Sequence, residues 1–373
     1  MTRVPAPTPN ETLRESVRDP LFTGYVVVLT LFDVGDEIDL AQLPQLISGR
    51  RLIPSFKHTT PGYVGFESPP VIELLGPVVL DTGEQFDGAI HYYDYGVVCL
   101  LLQRPYSGSW VELQHVAAGW ISSTFFEEFT TRLVRQRLAG LSAALRKPYT
   151  NWLIEDYYVF HHSLTNATAE EMIATNAQGI SQLIGGETHA LSPSERDEVL
   201  QARMSYYVND VIVVGWNAAF IYDTEAGAET TIRLLEYANS QLLQFRHYDE
   251  LLTHELKDVY KFVEARRDRL AGWRMRPSAD RLRTVLIDVT QLTEHTTNAL
   301  KFVGDMFSAR LYKMCANKIG VVEYEELVKE KLHTADDLYD FMIEKFQQSR
   351  GFLLELAVVI ILLIELAFLF RGK

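Results

Sequence analysis

Cysteine is scarce in this 373-residue chain, which carries only Cys99 and Cys315. Two thiols so far apart, each in apolar surroundings, exclude a disulfide framework and predict buried, reduced cysteines. Positive charge is short as well: 35 Lys and Arg against 49 Asp and Glu leave a formal charge of −14. That balance argues against a broad nucleic-acid surface, because phosphate binding needs clustered bases. There is neither a Walker-type loop nor a GxGxxG after a strand, so no nucleotide cofactor is expected. His161-His162 is the nearest thing to a metal pair. Adjacent strand residues point to opposite faces, however, so no metal site is expected there, and the odd spacing of His91 and Asp94 fares no better. The first twenty residues lack an apolar core, and their Arg3, Arg14 and Arg18 alternate with Glu11, Glu15 and Asp19. Neither a secretory signal nor a mitochondrial presequence fits that pattern, so the bulk of the chain is expected to remain in the cytoplasm.

An apolar fraction of 47% with 11% aromatics is ample for a real core. The longest hydrophobic run comes last, in residues 351–370, reading GFLLELAVVIILLIELAFLF. About twenty residues at 1.5 Å rise span roughly 30 Å, the thickness of a bilayer's hydrocarbon core. On an insertion scale its apolar residues supply very roughly −5 to −9 kcal/mol, against about +5 kcal/mol or more for Glu355 and Glu365. Basic residues flank it on both sides (Lys345, Arg350, Arg371, Lys373). The expectation is a C-terminal transmembrane anchor in the lipid bilayer, single-pass, with the N-terminal bulk cytoplasmic; in a bacterium this would be the inner membrane. A buried core helix is the alternative. Ten residues turn a helix by about 1000°, which leaves Glu355 and Glu365 roughly 80° apart around the axis and about 15 Å apart along it. This polar pair is therefore expected to face protein, in a homo-oligomer, instead of lipid.

The residues Leu354-Glu355-Leu356 and Ile364-Glu365, a glutamate pair ten apart across an aliphatic run, resemble the terminal signature of the required-for-meiotic-nuclear-division family. The family usually has Trp after the first Glu, where this chain has Leu356. Tyr93-Asp94-Tyr95-Gly96-Val97-Val98 is similar to the family's other landmark, an aromatic-Asp-Tyr-Gly-Val-Val strand. The aromatic-rich Pro-Glu-Phe-Phe-Trp segment that many members carry is absent, as in a divergent bacterial member. The resemblance implies a domain of unknown function. Its mitochondrial relatives are inner-membrane proteins implicated in supporting or anchoring translation, and its fungal relatives are implicated in nuclear division.

Taken in order, residues 1–20 read as a flexible, Pro-rich leader and 21–225 as a mixed α+β globular head. Residues 25–32 (YVVVLTLF) are a buried strand by composition; 71–75, 88–91 and 94–103 are further strands, with Gly96 bending the chain or admitting another backbone. Residues 38–47 allow a short helix, 50–70 form a loop-like tract, 107–147 turn helical and 152–164 return to strand. Thr168-x-x-Glu171 and Ser192-Pro193-Ser194-Glu195 open helices, and 206–222 reads as antiparallel strands turning near Asn209-Asp210 and Gly215. Residues 228–347 follow a three-four apolar spacing: Leu235, Leu242, Leu252, Leu256, Val259 and Val263, then Leu282, Val285, Val289 and Leu292. A long antiparallel helical hairpin, coiled-coil-like, is the simplest arrangement, followed by the anchor at 351–370.

Nothing in these patterns demands catalysis, and no enzymatic role is expected. Tyr92-Tyr93-Asp94-Tyr95 could line a ligand pocket, against the plainer reading that its aromatics alternate between core and surface while Asp94 satisfies a turn. Arg274, Arg276, Arg281 and Arg283 form a candidate docking patch for something anionic, against the plainer alternative of a solvated hairpin tip. The expected function is a membrane-anchored, non-catalytic scaffold or tether that self-associates and holds a protein partner the sequence does not identify. Two other classes stay open: an enzyme or ligand-binding head with an unrecognised pocket, and a membrane oligomer with a polar path lined by Glu355 and Glu365. A buried, strongly shifted carboxylate or histidine in a cleft would favour the head.

Overall fold

The β-branched run after Tyr25 becomes the centre of the molecule. In the computed structural model, which describes residues 21–47, 51–54, 69–264, 276–299 and 306–371, that run lies in β1 (Leu21–Ile38). Val27, Leu29 and Leu31 face one hydrophobic cluster, while Val26, Val28 and Phe32 face another. A strand buried on both faces reads as a continuous apolar run, which is why this one shows no alternation. Each such side chain taken from water contributes about 1.5–3 kcal/mol.

Eight further strands join β1: β2 (Arg51–Pro54), β3 (Val71–Val79), β4 (Gln85–Tyr92), β5 (Val97–Ser109), β6 (Leu145–Ser163), β7 (Arg203–Met204), β8 (Val211–Val214) and β9 (Ala218–Asp223). They form one nine-stranded sheet in the order β2-β3-β4-β5-β1-β6-β9-β8-β7. Neighbours are antiparallel except β6 and β9, which run parallel. The mixed α+β class expected of the head is what the chain adopts.

One face of the sheet is covered by α2 (Trp110–Ile121), α3 (Phe125–Leu138), α4 (Ala169–Gly185) and α5 (Pro193–Gln201), with α1 (Leu43–Leu46) at its margin. Two of these helices begin at the caps expected of them. Thr168 and Glu171 form a reciprocal capping box, and Ser192 accepts from the Glu195 N–H. The other face is covered by α6 (Glu225–Glu264) and α8 (Met306–Ile319). Beyond the sheet α6 is joined by α7 (Arg276–Ala299) and by α9 (Val321–Arg371), a continuous helix of 51 residues. Leu252, Leu256 and Val259 of α6, Ala279, Leu282, Val285 and Val289 of α7, and Val328, Ala335 and Met342 of α9 belong to the same buried cluster as the sheet face. Lys331 of α9 is ion-paired to Asp249 of α6, the residue at which the apolar spacing lapses.

Several expectations are corrected by this arrangement. The helical stretch 107–147 is two strand ends around two helices, since β5 runs on to Ser109 and β6 begins at Leu145. The landmark Tyr93-Asp94-Tyr95-Gly96 is a turn between β4 and β5, not part of a strand. The helical hairpin is completed by a third helix: α6, α7 and α9 share one core, so the seam of α6 packs within the chain. The leader 1–20 lies outside the described residues, as does Arg274. Among the described residues, no helix is long and apolar enough to cross a membrane, so the transmembrane span expected at 351–370 is not supported by them. The apolar end of α9 whose side chains are described, 354–368, would be about 22 Å long, short of the roughly 30 Å a span needs.

Candidate functional site

Five elements converge above one end of the sheet. The end of β1 brings Asp36 and Glu37, the β4–β5 turn brings Asp94 and Tyr95, and the start of β6 brings Arg146 and Lys147. Helix α6 adds Gln244 and Tyr248, and α7 adds Asp288 and Gln291. Together they line a cleft of about 580 Å³, within the size range of small-molecule sites. The turn owes its shape to Gly96, whose φ of +82° is unfavourable for a side chain. A Cβ there would sit 1.7 Å from the Gly35 carbonyl oxygen. That close approach lets Val34 N–H donate to the Gly96 carbonyl at 3.0 Å and Ile38 N–H to the Asp94 carbonyl at 2.8 Å. At Lys147 the backbone also takes a positive φ, of 42°, a conformation that costs a non-glycine residue about 1–2 kcal/mol.

A chain of polar groups runs beside the cleft. Asp33 is buried, with its Oδ2 2.9 Å from His247 Nδ1. The His247 ring stacks on Tyr149, centroids 4.8 Å apart and planes within 10°. Tyr149 donates its hydroxyl to Asp36, which also pairs with Lys147. Gln244 donates to the Tyr95 carbonyl at 3.1 Å. Burial opposes a charge on the His247 imidazole, but the Asp33 carboxylate more than offsets it and holds the ring above the usual histidine range. Burial likewise raises the Asp288 carboxyl, despite the nearby Lys147.

Deeper in, where α6 crosses the sheet, lies a second knot. Glu236 is 1% exposed. It accepts from His91 Nδ1 at 2.7 Å and from the Tyr93 hydroxyl at 2.8 Å, and it also holds the Cys99 thiol. Burial works against its charge, and His91 and these donors overcome it, so its pKa lies below the usual carboxylate range. Tyr95 shares a 2.8 Å hydrogen bond with Ser240. Groups satisfied this completely fix how α6 sits on the sheet.

The landmark residues are thus brought together around α6: Tyr93 reaches Glu236, Tyr95 reaches Ser240, Asp94 lines the cleft and Gly96 makes the turn. His161 and His162 are separated, as alternation requires. His161 packs on Tyr25 and bonds the Asp223 carbonyl, while His162 lies among Phe22, Trp110 and Tyr222. Both cysteines are free and buried. Arg281 and Arg283 are exposed on α7, where Arg283 borders a groove against α9, while the side chain of Arg276 lies outside the described set. Sequence reasoning missed Asp33, Asp36, Tyr149, Glu236, Gln244 and His247. A signal for the last two and Glu236 was present: Glu236, Ser240, Gln244 and His247 recur at helical spacing, a polar stripe inside an apolar helix.

The Asp33–His247 pair carries a pH dependence of known sign. A raised histidine pKa adds stability in full below the unfolded value of about 6.5, and loses it as pH rises through the folded value. The melting temperature of the protein should therefore fall between pH 6 and pH 8.5 more steeply than that of His247→Gln. Parallel curves would show that the pair adds nothing.

At the far end of the molecule, the described side chains of residues 354–368 are exposed on every side of α9, the large apolar ones by between 43% at Leu356 and 73% at Phe368. Among them stand Glu355 and Glu365. A contiguous apolar surface of this extent marks an interaction site, whether for lipid or for protein.

Residues 23–229 match the model of a family described as uncharacterised protein MJ0711, N-terminal domain. The uncharacterised protein MJ0711 of Methanocaldococcus jannaschii is 21% identical over 222 residues, which cover 60% of this chain and 68% of that protein. No solved structure matches. The family match takes in Asp33, Asp36, the β4–β5 turn, Lys147 and Tyr149, and ends inside α6 before Glu236 and His247.

Proposed function

The chain belongs to the family of the uncharacterised MJ0711 N-terminal domain, and we propose that it acts as a membrane-attached, non-catalytic scaffold that presents its α+β head on a helical stalk. The observation that carries this reading is the exposed, all-round apolar end of α9. An amphipathic helix buries one stripe and solvates the other, whereas this end is apolar on every side and interrupted only by Glu355 and Glu365. The helix continues to Arg371 and the apolar sequence extends from Phe352 to Phe370, which supplies the length that the described side chains alone fall short of. The likeness of Leu354-Glu355 and Ile364-Glu365, and of Tyr93 to Val98, to the required-for-meiotic-nuclear-division family supports the same reading, because that family's mitochondrial relatives are inner-membrane proteins.

A chain truncated after Arg350 should lose its membrane association, with the head folded as before by circular dichroism. If the truncated chain still sediments with membranes after a salt wash, the end of α9 is not the attachment.

A second reading is favoured by the cleft: a head that binds a polar small molecule between the β4–β5 turn and α7. It draws on Asp94, Tyr248, Asp288 and Gln291 lining one cavity beside a buried Asp33–His247 pair. Under that reading, stabilisation of the head by a ligand pool would vanish in Asp288→Asn combined with Gln291→Leu.

A further inference from the structure

The apolar end of α9 has two distinguishable sides. Val328, Ala335 and Met342, spaced seven apart, are buried against α6 and α7. At about 100° per residue, Glu355, Val358, Leu362 and Glu365 all lie within roughly 40° of the side directly opposite Met342. Their spacing of three, four and three is the heptad seam of a two-stranded coil, and the sequence continues it with Leu369. Val358 and Leu362 are 55% and 57% exposed, and Glu355 and Glu365 are exposed too. Every side of this end is exposed, and it is the two glutamates that mark the side turned away from the stalk.

We infer that this seam is the interface for a second copy of the same chain, paired in parallel along α9 from Glu355 to Glu365. The inference rests on membrane attachment, which places both heads on one side of the bilayer and so excludes the antiparallel pairing. In a parallel seam like positions meet, so Glu355 faces Glu355 and Glu365 faces Glu365. Each carboxyl meets its counterpart as a hydrogen-bonding partner across the interface, where lipid offers none. Pairing both layers at once requires the chains in register, and the polar layers specify that register as a buried polar residue does in soluble coils. Nearer the head the same side of α9 carries Glu330, Asp337 and Glu344, all exposed. Like charges there hold the stalks apart and confine the contact to the apolar end.

The test places one new cysteine in the full-length chain, reconstituted in phosphatidylcholine vesicles at high lipid excess and oxidised with copper phenanthroline. Leu362→Cys lies on the seam and Ile360→Cys lies on the opposite side. Leu362→Cys should give a dimer band, and Ile360→Cys one at least about tenfold weaker. Adding Glu355→Leu and Glu365→Leu to Leu362→Cys should cut the dimer about tenfold, and Gln at both positions should retain it. Equal bands at 360 and 362, or an undiminished band in the double Leu variant, overturn the pairing while leaving attachment intact. Extraction of the chain by alkaline carbonate overturns attachment, and the parallel pairing with it.

Discussion

Replacing Glu236 by alanine should destabilise the protein by about 3–5 kcal/mol, because it removes the buried acceptor on which three donors converge. The carboxylate is 1% exposed and takes hydrogen bonds from His91 and Tyr93, with the Cys99 thiol beside it. Alanine leaves all three donors facing a cavity, and each unsatisfied donor costs about 1–3 kcal/mol unless water enters. Glu236→Gln keeps the volume and two hydrogen bonds but loses the charge, so it should fall between alanine and the parent. The sign with pH follows from the depressed pKa of Glu236: its contribution is present above the unfolded value of about 4.3 and is lost as pH falls through the folded one. Urea denaturation at pH 7, followed by tyrosine fluorescence, reads the difference. A loss for Glu236→Ala below 1 kcal/mol would mean that the knot is not what seats α6.

Gly96→Ala should be nearly as damaging, at about 2–5 kcal/mol, for a different reason. A Cβ at this position would meet the Gly35 carbonyl oxygen at 1.7 Å in a backbone with φ +82°. The strained dihedral costs about 1–2 kcal/mol and the displaced β1 end a further 1–3 kcal/mol. The clash is with backbone, so no rotamer relieves it. By contrast Gly83→Ala, also at positive φ but with nothing within 4 Å, should cost only the dihedral share. Thermal melts of the two variants, compared at one pH, separate these effects. Equal shifts would show that the approach of Gly35 to Gly96 is dispensable.

The strands and long helices were legible in local pattern. The run from Tyr25 is β1, the three-four spacing from Leu235 is α6, and the Thr168–Glu171 box opens α4. The errors have physical causes. Pro105 and Pro148 stand at the two ends of the stretch 107–147 expected to be helical, yet both lie in strands. Pairing of β5 with β4 stops at Gln103, so Pro105 sits where β5 is an edge on that side. Pro148 pairs with Gly35, at the register shift of β1 against β6. The candidate site was hidden for another reason. Asp33, Tyr149 and His247 lie far apart in sequence; the pairing of β1 with β6 brings the first two together, and the packing of α6 on the sheet adds the third. Tyr93 and Tyr95 were visible as a motif, but their partners Glu236 and Ser240 lie more than 140 residues away on α6, which no local pattern announces.

The continuity of α9 has a mechanical consequence. Its first turn is seated where Gly320 abuts the Trp216 ring, and the helix runs from Val321 to Arg371 without a break. About thirty residues separate that seat from the apolar end, a lever arm of roughly 45 Å. Tilting the apolar end by 10° would swing the head by about 8 Å, with no hinge along the way to absorb the motion. Inserting a Gly-Pro pair near Asp337 would uncouple the two ends.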